Sequence, residues 1–148
     1  MKARIKWVEG RTFVGESASG HKLVLGTTYG DDGKTPGPSP MELLLIGTGG
    51  CSAIDVVHIL EKGREQVEDC VVELDSDRAP TDPKVFTRIH MHFIVKGKNL
   101  SHDKVKRAVQ LSAEKYCSAS IMMGKTATVT HDFEVIDTAA QLPSPAGV

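Results

Sequence analysis

The segment from Ser39 to Lys62 constrains this chain more than any other, because wound as a helix it is apolar on nearly every side. Its start is sharply marked. Ser39 stands at the N-cap, Pro40 at the first helical position and Glu42 at the third, which is a capping box with the favoured proline. Gly63 supplies a C-cap. Between these ends, Leu43, Leu44, Leu45, Ile46, Ala53, Ile54, Val56, Val57, Ile59 and Leu60 leave hardly any polar face. A helix apolar all round must be buried all round. A chain of 148 residues makes one ordinary domain and hardly covers such a helix alone. A second copy would complete the burial, so the expectation is an obligate homodimer.

The flanking segments read as strands and a second helix. Ala3, Ile5 and Trp7 alternate with Arg4 and Lys6. Glu9-Gly10-Arg11 turns the chain, Thr12 to Glu16 returns, and His21 to Leu25 makes a third strand after Ser19-Gly20. Residues 26–38, rich in glycine and proline, are a loop, either a binding element or simply disordered. Beyond the helix, Cys70, Val72 and Leu74 share one strand face and Glu73 and Asp75 the other. After a Pro-containing turn, Val85, Thr87, Ile89, Met91, Phe93 and Val95 are expected on the inner face of a long strand. Asn99 to Ser101 caps the second helix, whose inner stripe reads Val105, Ala108, Val109, Ser112 and Tyr116. A short helical turn follows, and then a strand in which Ala127, Val129, His131, Phe133 and Val135 share a face. This order predicts an α+β fold with a largely antiparallel sheet, one domain over residues 1–137 and a flexible tail over 138–148.

Composition removes several classes of function. Hydrophobic residues make up 40% and charged residues 25%, near the globular average, and the net charge is −1 with both signs interspersed. That pattern offers no dedicated nucleic-acid or anionic-membrane surface. No apolar stretch is expected to reach the roughly 18 residues of a membrane span, and the start, Met1 to Trp7, has no signal-peptide character. A cytoplasmic protein is expected, in which free thiols persist unless they turn over.

Two thiols are placed where local structure would hold them still. Cys51 lies inside the apolar helix, after Gly47, Gly49 and Gly50, and Cys117 lies where the second helix ends. Neither reads as having a metal-type partner two to four residues away, which favours redox chemistry over zinc. Each mid-helix glycine costs about 0.8–1 kcal/mol relative to alanine, so the cluster implies close approach of another backbone, room for a substrate, or both. Cys51 is about three turns into its helix, too far for the helix end to lower its pKa, so activating it requires a cation from elsewhere. Cys117 stands beside a fresh helix start, with Ser118 and Ser120 as possible caps, and gains thiolate character there. Cys70 reads as a core residue and His131 as a core or interface histidine. His90 and His92 read as solvated sheet-face residues, and His58 falls too far along the helix to bond Cys51. No phosphate loop, nucleophile elbow or zinc pattern appears, and no cofactor is expected.

The run Ser-Pro-Met-Glu-Leu-Leu-Leu-Ile-Gly-Thr-Gly-Gly-Cys51, with Glu114-Lys-Tyr-Cys117-Ser, resembles the OsmC/Ohr family over nearly the whole chain. It is most similar to a less characterised branch that carries Gly-Gly-Cys-Ser-Ala-Ile-Asp-Val and Ala-Glu-Lys-Tyr-Cys. The resemblance implies an intertwined α+β homodimer, in which two sheets flank paired central helices and active sites lie at the subunit interface. It also implies reduction of small organic hydroperoxides. Cys51 would become a sulfenic acid, Cys117 would resolve it as a disulfide, and an external dithiol would restore both. The family's thiolate-holding arginine corresponds to Arg11. The glutamate that orients it corresponds in position to Met41, with Glu42 one residue on and about 100° around the helix. Ser118 replaces a proline frequent after the second cysteine. These departures keep a second reading open, in which a non-catalytic member of the fold binds a small apolar ligand at the dimer interface.

Overall fold

Residues 1–28 and 33–139 are described by a computed structural model, so the centre of the 26–38 loop and most of the 138–148 tail lie outside the described residues. The chain forms two compact units, Met1–Ile46 and Gly47–Val148. In the first unit β1 (Ala3–Glu9), β2 (Thr12–Ser17) and β3 (Lys22–Gly26) make an antiparallel meander in the order β1-β2-β3. Trp7 stands opposite Phe13, and the register slips between Trp7 and Glu9 as the chain enters the Gly10-Arg11 turn. There Gly10 takes a positive φ of 51°, and the Trp7 indole N–H donates to its carbonyl at 3.0 Å. The loop after β3 folds back on the meander, with the Gly26 amide bonded to the Pro38 carbonyl. Gly37 is required at that crossing, since a Cβ there would stand 2.5 Å from the Val24 carbonyl oxygen. The alternation read for β1 holds, yet its apolar side chains stay uncovered, with Trp7 61% exposed.

α1 (Pro40–Lys62) begins and ends nearly as its sequence predicts. The Ser39 amide donates to Glu42 Oε2 at 2.7 Å and the Glu42 amide to Ser39 Oγ at 3.3 Å, closing the capping box. At the far end the Glu65 amide bonds the Leu60 carbonyl and the Arg64 amide that of Glu61, a Schellman closure. The left-handed position in it belongs to Arg64 (φ 60°), one residue beyond Gly63. By length and composition α1 could cross a membrane, with a mean hydropathy of 1.8, which corrects the expectation that no segment reaches that limit. Gly47, Thr48, Gly49, Gly50 and Ser52 interrupt the apolar run without lowering its mean enough.

In the second unit β4 (Gln66–Arg78), β5 (Phe86–Lys98) and β6 (Thr128–Asp137) form a sheet with β5 central. β4 runs antiparallel to β5, but β6 runs parallel to it, because the chain crosses over through helices between them. Ile89, Met91, Phe93 and Val95 of β5 are fully buried. Val85 and Thr87, expected on the same face, are exposed, and Phe86 is buried instead. The ladder explains this: Asp77 pairs with Arg88 but Arg78 pairs with Phe86, so Thr87 is an extra bulged residue that reverses the alternation before it. Cys70 is only half-buried beside Val72 and Leu74, and burial raises its pKa.

α2 (His102–Leu111) is capped by Ser101 Oγ, which accepts the Lys104 amide. Val105, Ala108, Val109 and Ser112 are buried as expected, but Tyr116 is 49% exposed. Over Ser112–Tyr116 the helix widens into a π turn, closed by the Cys117 amide on the Ser112 carbonyl at 2.9 Å. The wider turn moves the buried position from Tyr116 to Cys117. Cys117 then caps α3 (Ser118–Met123) with its own sulfur, in place of Ser118 or Ser120.

Two predictions follow from these details. Arg64→Gly should raise the thermal midpoint, since glycine occupies the left-handed region without the penalty of about 1 kcal/mol borne by a side chain; an unchanged or lower midpoint would show that Arg64 is held there by other contacts. On the sheet's outer face His92 bonds Asp132, which raises the imidazole pKa above 6.5 and lowers the carboxyl pKa. The pair's contribution is therefore fully present above the ordinary carboxyl range and below pH 6.5, and fades as pH rises through the folded His92 value. In Asp132→Asn, NMR titration should find the His92 pKa moved down toward 6.5; an unmoved value would refute the pairing.

Candidate functional site

The second unit brings the two cysteines together. Sγ of Cys51, Sγ of Cys117 and a carboxylate oxygen of Asp55 lie within 4.8 Å of one another, and both cysteines are free thiols. α1 presents Cys51 and Asp55 one turn apart on a single face, and the π turn delivers Cys117 to that face. Asp55, four residues after Cys51, is thus the metal-type partner the sequence reading did not credit. Its signal was that spacing, which on a helix puts two side chains side by side.

The floor of the site is polar within an apolar core. Ser52 is fully buried and donates from Oγ to Cys117 Sγ at 3.0 Å, with Met91 Sδ 3.7 Å from the same hydroxyl. The buried Ser112 hydroxyl lies between the Ser52 carbonyl, at 3.3 Å, and Asp55 Oδ2, at 3.4 Å. The Cys117 thiol can donate to the Thr48 carbonyl, 3.9 Å away. Sequence reasoning missed Ser52 and Ser112 as site residues, although both are small polar residues beside or facing a cysteine.

Both sulfurs meet the start of α3. The Ser120 amide donates to Cys117 Sγ at 3.4 Å, and the Ala119 amide hydrogen-bonds the Cys51 sulfur. The outcomes differ. Burial pushes the Cys117 thiol up, but the Ser120 side chain, the Ser52 hydroxyl, the Ser120 amide and the Cys51 thiol bring it below the ordinary cysteine value. For Cys51 the Ala119 amide lowers the pKa, but burial, the Cys117 thiol and the charges of Cys117 and Asp55 outweigh it and leave the value raised. The two thiols titrate as a coupled pair, with the Cys117 pKa lowered and the Cys51 pKa raised. Reach runs the other way, since Cys51 is partly exposed while Cys117 is fully buried.

The glycines before Cys51 divide between the two readings given for them. A Cβ on Gly49 would stand 2.6 Å from Leu74 Cδ1, so helix and strand approach closely there. Among the described residues nothing stands within 4 Å of a Cβ built on Gly47 or Gly50, and Ile54 beyond them is 72% exposed. A cavity of about 430 Å³ opens along the same helix beside Asp55 and His58, walled by Leu111 and Tyr116. Arg11 belongs to the first unit, on an open cavity of about 430 Å³ lined also by Glu9, Thr12, Thr27, Thr35 and Pro36. Glu42 lies in that unit too, with its carboxylate on the Ser39 amide and its pKa lowered by that bond. His90 and His92 lie on the outer face of the sheet, with Asp132 and Thr130.

Comparison with known proteins bears on the family and the fold. The family model described as "OsmC-like protein" matches residues 30–132. The Escherichia coli K12 protein YhfA is 54% identical over 136 residues, covering 92% of this chain and 98% of its own length. A hypothetical protein from Aquifex aeolicus VF5 has a solved structure at 28% identity with a TM-score of 0.74, covering 92% of this chain and 97% of that one. At 19% identity, which bears on the fold alone, the organic hydroperoxide resistance protein OhrB of Bacillus subtilis superposes with a TM-score of 0.61 over 90% of this chain and 98% of its own. With the family model spanning most of the chain and a relative of more than half identity aligned over 92% of it, this chain belongs to the OsmC-like protein family.

Proposed function

We propose that this chain is a cytoplasmic, cofactor-free dithiol redox protein that reduces small organic hydroperoxides. The observation that carries the reading is the approach of two free thiols to within 4.8 Å, each met by an amide of α3. Family membership supports a redox or peroxide-related role, and the neighbour from Bacillus subtilis is named for organic hydroperoxide resistance.

The chemistry runs as follows. Cys51, the sulfur a solute can reach, attacks the outer peroxide oxygen as a thiolate. The O–O bond breaks, the alkoxide takes a proton and leaves as the alcohol, and Cys51 is left as a sulfenic acid. The Cys117 sulfur then attacks Cys51, the S–O bond breaks, water leaves and a disulfide forms. An external dithiol reduces it by exchange. The first step needs the negative charge on Cys51, whereas the surroundings lower the pKa of Cys117 and raise that of Cys51. A cation beside Cys51 would draw the charge across as the proton passes the other way. Arg11 is the candidate for that cation, and Glu42 the candidate carboxylate to orient it. A homodimer, with the exposed face of α1 covered by a second copy, completes the reading. The raised Cys51 pKa favours one other reading, in which the thiols are idle and the protein binds a small apolar ligand at the dimer interface.

Titrating reduced protein with an alkyl hydroperoxide separates the two. The redox reading expects loss of two thiols per chain in wild type, none in Cys51→Ser, and one turnover followed by a stall in Cys117→Ser. Equal slow loss in wild type and Cys51→Ser would leave ligand binding. The dimer is tested at Gly50. In a solitary helix Gly50→Ala would stabilise by about 0.8–1 kcal/mol, whereas against a second copy the added methyl group should shift sedimentation toward monomer; a stabilised protein of unchanged mass would sink the homodimer.

A further inference from the structure

We propose that the reduced Cys51–Cys117 pair, completed by Asp55, binds one zinc-class divalent cation per chain. The site is the one assigned thiol chemistry above, but binding needs only the reduced sulfurs and not peroxide turnover. The three ligand atoms lie within 4.8 Å of one another. A tetrahedral zinc with bonds of about 2.3 Å to sulfur holds two sulfurs about 3.8 Å apart, so capture draws the trio inward by roughly an ångström or less. Side-chain torsions supply such a movement without shifting the backbone.

The donors are arranged as ligands. Cys51 and Asp55 are four residues apart on one helix, a spacing that sets two donors on the same side, and Cys117 adds a third from a separate element. Their orientation is fixed from behind. The Ser112 hydroxyl bonds Asp55 Oδ2 at 3.4 Å and the Ser52 hydroxyl bonds Cys117 Sγ at 3.0 Å, the kind of support that tunes metal affinity. Two thiolates and one carboxylate suit zinc or cadmium, whereas magnesium and calcium prefer oxygen throughout. Three protein ligands leave a fourth position for water or a small anion. Among the described residues, His90, His92 and Asp132 form no comparably convergent set.

Capture displaces the thiol protons and moves no electrons. Disulfide formation, by contrast, consumes two of the three donors. Metal binding and oxidation therefore exclude one another: a bound cation shields the thiols, and oxidation by a hydroperoxide or another disulfide releases it.

The test uses reduced, metal-free full-length protein, titrated with Co²⁺ and with Zn²⁺ against a chromophoric chelator. Wild type should take up one equivalent of Zn²⁺ and give a thiolate-to-Co²⁺ charge-transfer band, both lost once the thiols are oxidised. Asp55→Asn, whose folding is checked by circular dichroism, should bind at least about tenfold more weakly. Absence of the band in reduced wild type, or equal affinity in Asp55→Asn, overturns the proposal. Peroxide-driven thiol loss, followed on the same metal-free sample, reports on the redox reading separately: two thiols lost without zinc uptake would sink only the metal site, and zinc uptake without thiol loss only the peroxidase.

Discussion

The site depends on one backbone hydrogen bond, from the Cys117 amide to the Ser112 carbonyl five residues back. An α-helical turn at that point would put Tyr116 beneath α1. The π turn carries the chain one residue further and puts a sulfur there instead. Everything else in the site is referred to that sulfur. Ser52 donates to it, the Ser120 amide caps onto it, and Cys51 lies beside it. The buried hydroxyls need these partners, because each left unsatisfied would cost about 1–3 kcal/mol. Ser52 and Ser112 therefore lock the turn as firmly as the turn positions them, and the geometry is cooperative.

The electrostatic result is a dithiol whose two pKa values are pushed in opposite directions. One pKa unit corresponds to about 1.4 kcal/mol, so a single added cation can decide which sulfur ionises more readily. Without one, the balance favours buried Cys117, where hydroxyl and amide donors converge, over Cys51, which meets one amide but also the repulsion of Asp55. Such a pair is poised rather than committed. A guanidinium would direct it toward nucleophilic attack from Cys51, and a divalent cation would hold both sulfurs as thiolates.

Much of this was legible in the sequence where the signal is local. The capping box at Ser39 and Glu42, the alternation of Ile89 to Val95 and the cap at Ser101 depend on residues near one another in the chain, and all are found. The failures share a cause as well. Thr87 in the β5 bulge and Tyr116 in the π turn each mark one extra residue in a regular repeat, and nothing in the hydrophobic pattern announces an insertion that flips every position beyond it. The parallel pairing of β6 with β5 is a long-range choice that alternation cannot express. Cys51 and Cys117 were identifiable, and the spacing of Asp55 from Cys51 offered a signal that went unused, yet Ser52 and Ser112 emerge only when α1, β5 and the π turn are set against each other. A polar residue on an apolar helix looks like an interruption until its partner is known.

The apolar character of α1 also changes meaning in the fold. Only 28% of its most hydrophobic window is buried, although its composition would suit a membrane interior. A membrane crossing would set Asp55 and the thiols in a medium with nothing to stabilise their charge, the costliest surroundings for a reactive thiolate. The glycines argue for a different cover. Gly47 and Gly50 keep the helix surface flat beside Cys51, where leucine would already shield the backbone from lipid. A flat stripe admits another helix at short range, and two helices so apposed would seal Ile54 and leave the thiols at the edge of the seam. Burial of the apolar face and construction of the reactive pocket would then be the same event, which gives a reason for a helix apolar all round to carry its cysteine where a single chain leaves it open.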